Sequence, residues 1–120
     1  MITIGADPEL FLVDSKQNKL ISAIGLIGGS KEFPRIISED GCAVQEDNVA
    51  VEFNIPPAES VDKFIKSINF NLQYLTDLVK EQGLSLALEA SGTFDEDQLR
   101  TPQARVFGCD PDFNAWTQKK

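Results

Sequence analysis

Histidine is absent from this sequence of 120 residues, and positive charge is scarce, with eleven Lys and Arg residues against nineteen Asp and Glu residues. The absence of histidine excludes the commonest general base, the usual zinc ligand and every Ser–His or Cys–His nucleophile pair. The net charge of −8 disfavours direct binding to nucleic-acid phosphates and to anionic lipid. Any chemistry must therefore use carboxylates, amides, Lys, Arg or bound cations.

Cysteines and long apolar runs are also few. Cys42 and Cys109 lie far apart without C-x-x-C spacing, and no secretory signal pattern precedes them, so we expect reduced thiols and a cytoplasmic location. No apolar run approaches the roughly 20 residues that cross a bilayer, so no membrane segment is predicted. The hydrophobic fraction of 42% is ordinary for a globular protein, and the length predicts one domain over residues 1–120.

Alternating apolar and polar residues predict strands in three parts of the chain. Residues 1–14 read as a strand kinked at 5–8, and a polar turn then leads to a returning arm at 20–24. Residues 48–55 and 84–91 alternate as well, with one apolar and one polar face each.

A long amphipathic helix is predicted over residues 60–82. Ser60 is a plausible N-cap and Gly83 the expected residue after the helix. The apolar stripe of this helix comprises Val61, Phe64, Ile65, Ile68, Leu72, Leu75, Leu78 and Val79. The pattern predicts an α+β fold, an antiparallel or mixed sheet with the helix packed on its apolar face.

The polar face of this sheet carries the candidate functional residues. Asp7 and Glu9 are two residues apart, as are Glu52 and Asn54, and Glu89 occupies the polar face of the third strand. Carboxylates gathered on one surface repel unless water or a cation separates them, and Mg²⁺ prefers oxygen ligands. The arrangement therefore suits a nucleotide–Mg²⁺ site, although a lone Glu such as Glu89 is more often a solvated surface residue.

Other polar segments allow two interpretations. Residues 45–48 (QEDN) are either a turn or part of an acidic site. The glycines of residues 25–31 lack the register of a Walker loop, and they are at most a loop near a ligand. Arg35 and Arg105 either bind a phosphate or carboxylate in bidentate fashion or are simply solvated.

Three segments together resemble a known family. They are residues 4–12 (IGADPELFL), 45–58 (QEDNVAVEFNIPPA) and 107–117 (FGCDPDFNAWT), in this order. The set resembles the phage carboxylate–amine ligases of the glutamine-synthetase-like amidoligase superfamily. The first segment is similar to the opening strand whose acids bind divalent metals, and the second to a metal-binding strand that precedes Pro-Pro.

This resemblance implies an ATP-dependent ligase that phosphorylates a carboxylate and lets an amine displace the phosphate. It implies half of a glutamine-synthetase-like catalytic barrel, with Mg²⁺ or Mn²⁺ and ATP as cofactors. The metal ligands that it implies are Asp7, Glu9, Glu46 and Glu52. It implies Asn48 and Asn54 as cofactor-binding residues lining the same site, and Arg105 is added to them as a candidate that could bind phosphate.

Members of this family continue into a Gly-Gly-His-x-His strand, whereas this sequence contains no histidine. The resemblance therefore implies the N-terminal, metal- and ATP-binding half of a ligase, inactive alone. A second half or a homodimer formed through an exposed sheet edge would complete it. An alternative is a small acidic phage protein that binds and modulates a host protein without catalysis. A third reading is a complete minimal enzyme built as a symmetric dimer.

Overall fold

The computed structural model describes residues 1–107 and 112–119. It has an α+β fold with an antiparallel sheet, one long helix and two short 3-10 turns at Glu96–Leu99 and Gln103–Arg105. The strands are β1 (Glu9–Asp14), β2 (Lys19–Ile21), β3 (Arg35–Ile36), β4 (Ala43–Asp47), β5 (Ala50–Asn54) and β6 (Ser85–Ala87). The helix α1 spans Val61–Lys80 and follows β5 in the chain. The predicted α+β class is confirmed.

Strand β1 joins most of the sheet together. It pairs with β5 near its start and with β2 and β6 farther along, and every pairing is antiparallel. Strand β5 pairs in turn with β4, and β4 with β3, which gives the order β2-β1-β5-β4-β3 with β6 also on β1. The strands that carry the acidic residues of the first and second motifs are therefore direct neighbours.

The alternation of β5 divides the sheet into a core face and a polar face. Val51 and Phe53 are buried on the core face, where Val51 lies opposite Leu10 of β1 and Phe53 opposite Val44 of β4. Glu52 alternates with them and occupies the opposite face, as the sequence pattern predicts. The core consists of Leu10, Leu12, Ala23, Ile27, Val44, Val51, Phe53, Ile55, Leu75 and Val79.

The helix begins and ends close to its predicted limits. The Ser60 hydroxyl accepts a hydrogen bond from the backbone N–H of Lys63 at 3.2 Å, so the predicted N-cap is confirmed. Gly83 has a φ of +74°, the left-handed conformation expected just after a helix. Within residues 1–107 and 112–119, no helix is long and apolar enough to span a bilayer.

The predicted apolar stripe of α1 is wrong at two places. Val61 and Ile65 are exposed, whereas Ser67 and Asn71 are buried in line with Leu75 and Val79. These last four residues are spaced by four and form one row along the helix. This row faces the sheet. Asn71 Nδ2 donates to the carbonyl oxygen of Asn54 in β5 and to that of Ser67 in the helix, so the buried amide is paired on the sheet side.

Three predicted strand limits also need correction. The long first strand begins only at Glu9. The preceding residues still run beside the end of β5, because the carbonyl oxygens of Pro8 and Ala6 accept the backbone N–H groups of Phe53 and Ile55, and Ile4 forms a bridge with Ala58. The acidic run 45–48 belongs largely to strand β4. Residues 84–91 form only the short strand β6, and Leu88, predicted to face the core, is 78% exposed.

Candidate metal centre

The strand register brings acidic residues from three strands together. Glu9 lies directly opposite Glu52, and Glu52 lies directly opposite Gln45, so these side chains form one row on the polar face. Asp47 follows Gln45 by two residues and shares its face. One carboxylate oxygen each from Glu9, Asp47 and Glu52 lie within 4.8 Å of one another. The structure thus gathers three carboxylates at one point of the sheet.

Burial and mutual repulsion perturb two of these acids. Burial raises the pKa of Glu52 to about 7, and the negative charges of Asp47, Asp7 and Glu9 add to the increase. Glu52 is only 6% exposed. Burial and then Asp47 also raise the pKa of Glu9. Lys31 opposes both increases with its positive charge, which places a cation near the cluster.

Two amide side chains support the Glu52 carboxylate. Gln45 Nε2 donates to Glu52 Oε2 at 2.9 Å, and Asn54 Nδ2 donates to Gln45 Oε1 at 3.4 Å. Gln45 is itself buried, so its amide is held between Glu52 and Asn54. Asn54, which the resemblance assigned to the cofactor, therefore contacts the cluster through Gln45 and helps to position Glu52.

Glu46 is not among the carboxylates that the structure brings together. Its oxygens accept backbone N–H groups from Gly25 at 3.0 Å, Ile27 at 3.3 Å and Gly28 at 2.7 Å, and the Nε2 of Gln103 at 3.1 Å. Burial acts to raise the pKa of Glu46, but these hydrogen bonds outweigh it and lower the pKa. Glu46 lies away from the carboxylate cluster because side chains alternate along a strand. It is opposite Val51 and therefore on the face of the sheet opposite to Glu52. Glu46 therefore anchors the loop of residues 25–31, which we call the glycine loop.

Asn48 and Arg105 attach the C-terminal segment to the sheet. Asn48 sits in the β4–β5 turn with a φ of +53°, and its Nδ2 donates to the carbonyl oxygens of Gln103 and Val106. Arg105 Nε donates to the carbonyl oxygen of Leu99 at 3.1 Å. Among the residues that the structure describes, neither side chain contacts the carboxylate cluster.

The structure places Asp47, and not the predicted Asp7, in the carboxylate cluster. Asp7 is exposed and acts on Glu9 and Glu52 through its charge, but it is not one of the three converging carboxylates. Asp47 is one of them, and the sequence reasoning missed it. A hairpin that pairs Asp47 with Ala50 puts Asp47 on the face of Glu52, and recognising this hairpin was the available signal.

The glycine loop lies close to the cluster. A Cβ on Gly29 would come within 2.7 Å of the Val44 carbonyl oxygen, so only glycine lets the loop approach β4 this closely. A cleft of about 400 Å³ separates the loop from the β4–β5 turn, and Lys31 and Asp47 both line it. The third motif falls largely outside the described residues, because 108–111 are not described.

Three carboxylates with oxygens this close fit a hard divalent cation. Mg²⁺ and Mn²⁺ accept a few carboxylates and complete their coordination with water or phosphate oxygens. Comparison of the chain with known proteins gives no further guide: no protein-family model matches it, and no curated protein or solved structure is significantly similar to it.

Proposed function

We propose that this chain is the metal- and ATP-binding half of an ATP-dependent carboxylate–amine ligase. Mg²⁺ or Mn²⁺ is held by Glu9, Asp47 and Glu52. The observation that carries the proposal is the convergence of these three carboxylates, from three strands, to within 4.8 Å. Such a cluster is unfavourable when ionised without a counter-ion, and a divalent cation removes the repulsion.

The surroundings of the cluster suit a nucleotide polyphosphate. The cleft between the glycine loop and the β4–β5 turn opens beside Asp47, and Lys31 adds a positive charge there. A metal bound at the cluster would offset phosphate charge. Gln45 and Asn54 position the Glu52 carboxylate, and Asp7 contributes negative charge from the exposed side.

This chain would bind the metal and the nucleotide but would not catalyse the reaction alone. The sequence has no histidine to fill the place of the family's Gly-Gly-His-x-His strand. A second chain or a second copy would supply the remaining contacts. We therefore expect the isolated chain to bind metal and nucleotide without turning ATP over.

The test is a Mn²⁺ titration of the purified chain, followed by electron paramagnetic resonance, with and without a non-hydrolysable ATP analogue. We expect saturable Mn²⁺ binding that the analogue strengthens. The variants Glu9→Gln, Asp47→Asn and Glu52→Gln should each weaken Mn²⁺ binding by more than about tenfold. Substitution of residues that only hold a metal ligand in place already weakens metal binding about tenfold or more, and these variants change the ligands themselves. Glu89→Gln, which removes an exposed carboxylate beyond β6, is the matched control.

Absence of saturable Mn²⁺ binding, or binding that is unchanged in the three variants, would contradict the proposal. Binding that the ATP analogue leaves unchanged would contradict its nucleotide half. In either case the host-protein alternative becomes the better hypothesis. Thermal melts of each variant show whether the fold survives, so a loss of binding is separated from a loss of structure.

A further inference from the structure

A second cleft lies away from the carboxylate cluster, beside the first half of α1. Its volume is about 520 Å³. One wall is the helix face that carries Lys63, Lys66, Ser67 and Phe70, and the other walls are Ser38, Asp40, Cys42 and residues 56–58. None of these residues belongs to the proposed metal centre, so this cleft requires an explanation of its own.

Ser67 is the unexplained polar group of this cleft. It is only 8% exposed, and its hydroxyl has no hydrogen-bond partner among residues 1–107 and 112–119. A serine in a helix can donate its hydroxyl to the carbonyl one turn earlier, but here the one side-chain hydrogen bond at Ser67 within the described residues is the bond that its carbonyl oxygen accepts from Asn71 Nδ2. The hydroxyl oxygen is unpaired but not fully buried, so it keeps some surface that is accessible from the cleft. It is therefore a free donor on the wall of the cleft.

Positive charge accompanies this donor in a chain whose net charge is −8. Lys63 lies four residues before Ser67 on the same row of the helix, and the neighbouring Lys66 also lines the cleft. The Lys63 ammonium has only a long contact of 3.9 Å with Glu59, and Lys66 forms no ion pair within the described part of the chain. Both ammonium groups are thus available to an anion at the rim.

The other walls limit what the anion can be. Phe70, Pro56 and Pro57 offer apolar surface. The Asp40 carboxylate lies on the opposite wall, where it accepts a hydrogen bond from the Ser38 hydroxyl. Its charge disfavours an inorganic polyanion that fills the whole cleft. The walls suit one anionic group joined to an apolar body.

We propose that this cleft binds a small organic anion, whose carboxylate or phosphate group meets the Ser67 hydroxyl and the Lys66 ammonium while its apolar part packs on Phe70 and Pro57. The site is distinct from the metal centre and requires neither metal nor ATP. Its ligand is recognised by the shared chemistry of a carboxylate or monoester phosphate on an aromatic or aliphatic body.

The test uses amide chemical-shift mapping on the full chain with three probes: phenylacetate, phenyl phosphate and neutral benzyl alcohol. We expect saturable shifts at Cys42, Ser67 and Phe70 with at least one anionic probe and none with benzyl alcohol. Whichever anionic probe binds more tightly distinguishes a carboxylate from a phosphate ligand. EDTA in the buffer keeps the metal centre empty, so this test is independent of the proposed function.

Four variants separate the contributions of the walls. Ser67→Ala should weaken binding about tenfold, the usual effect of losing a hydrogen bond to a charged group. Lys66→Gln should weaken it by about two- to fivefold, because exposed charges interact weakly. Asp40→Asn should strengthen it. Lys80→Gln, in the last turn of the same helix, should leave it unchanged.

Equal shifts with benzyl alcohol would overturn the proposal, as would an unchanged affinity in both Ser67→Ala and Lys66→Gln. Absence of saturable shifts with both anionic probes would overturn it as well. Lys66 is exposed and its substitution should not affect folding. If Ser67→Ala fails to fold, an unchanged affinity in Lys66→Gln alone therefore overturns the proposal.

Discussion

Glu52 and Glu46 are separated by one turn of a hairpin but have opposite environments. Glu52 is buried among other acids, and in the described part of the chain the Gln45 amide is the one neutral group that donates a hydrogen bond to it. Glu46 receives three backbone N–H groups from the glycine loop. The sequence has a glutamate at both positions, and the family resemblance implies that both are metal ligands. Only the pairing of β4 with β5 shows that one faces its like charges and the other faces a loop.

Glu52 should make the stability of the metal-free chain depend on pH. Its pKa of about 7 in the folded chain exceeds the value of 4.5 expected without the fold. The folded state therefore holds this proton more tightly, and the stabilisation is complete below pH 4.5 and is lost as the pH rises to about 7. The wild type should therefore lose free energy of unfolding between pH 5 and pH 8, and Glu52→Gln should lose less of it, by on the order of 2 kcal/mol.

Urea unfolding in the presence of EDTA at both pH values measures this difference. Gln at position 52 keeps an oxygen that can accept from Gln45, so the variant removes the charge with little other change. Glu89→Gln is the control and should not alter the pH dependence. Parallel pH profiles for the wild type and Glu52→Gln would show that the burial of Glu52 has no such effect.

At the scale of the elements, periodicity predicted the helix and strand β5 well because one face of each meets the core and the other meets a different environment. Strand β4 escaped prediction because Gln45, Glu46 and Asp47 are polar and favour turns in isolation. Their partners across the hairpin, not their own preferences, make them a strand. The buried row of α1 escaped for a similar reason, since Ser67 and Asn71 are polar residues that face the sheet.

Asn71 links the helix to the sheet and should be sensitive to substitution. It is fully buried, and its Nδ2 donates to Asn54 O at 3.3 Å and to Ser67 O at 3.1 Å, while its Oδ1 has no partner among the residues that the structure describes. We expect Asn71→Ala to lower the free energy of unfolding by about 2 kcal/mol, through lost hydrogen bonds and a cavity. Asn71→Asp should cost more at pH 7, because it buries a charge and removes the donor.

Chemical denaturation of both variants provides the measurement. Asn69→Ala, an exposed asparagine of the same helix, is the control and should stay within about 0.5 kcal/mol of the wild type. An Asn71→Asp variant as stable as Asn71→Ala would mean that this position can take up water or move away from the sheet.

As a whole, the molecule is flat. Its extents are 46 × 45 × 23 Å and its radius of gyration is 15.7 Å, above the roughly 14 Å expected for a compact chain of this length. Several large apolar side chains are exposed, among them Ile36 in the terminal strand β3 and Phe33 just before it. Ile36 is 69% exposed on a strand that pairs with β4 alone in the described sheet. Such an edge can accept another strand.

We therefore expect the chain to self-associate through β3 at high concentration. Sedimentation equilibrium should show a concentration-dependent rise in mass. Ile36→Lys should abolish the rise, because a charged residue on an edge strand blocks further pairing. Val61→Lys, which places a charge at an exposed apolar position of α1, serves as the control. A monomer at all concentrations, or association that is insensitive to Ile36→Lys, would contradict this expectation.

The central place of β1 also governs how the chain acquires its structure during synthesis. Phe11 pairs with Ala87, 76 positions later, and Glu9 pairs with Glu52. A ribosome adding about 5–20 residues per second needs about 4–15 s to supply β6 after β1. For that interval Leu10 and Leu12 lack part of their native partners. Closing such distant pairs is slow, so the sheet is completed late and the nascent chain exposes these apolar residues for longer than a helical chain of equal length would.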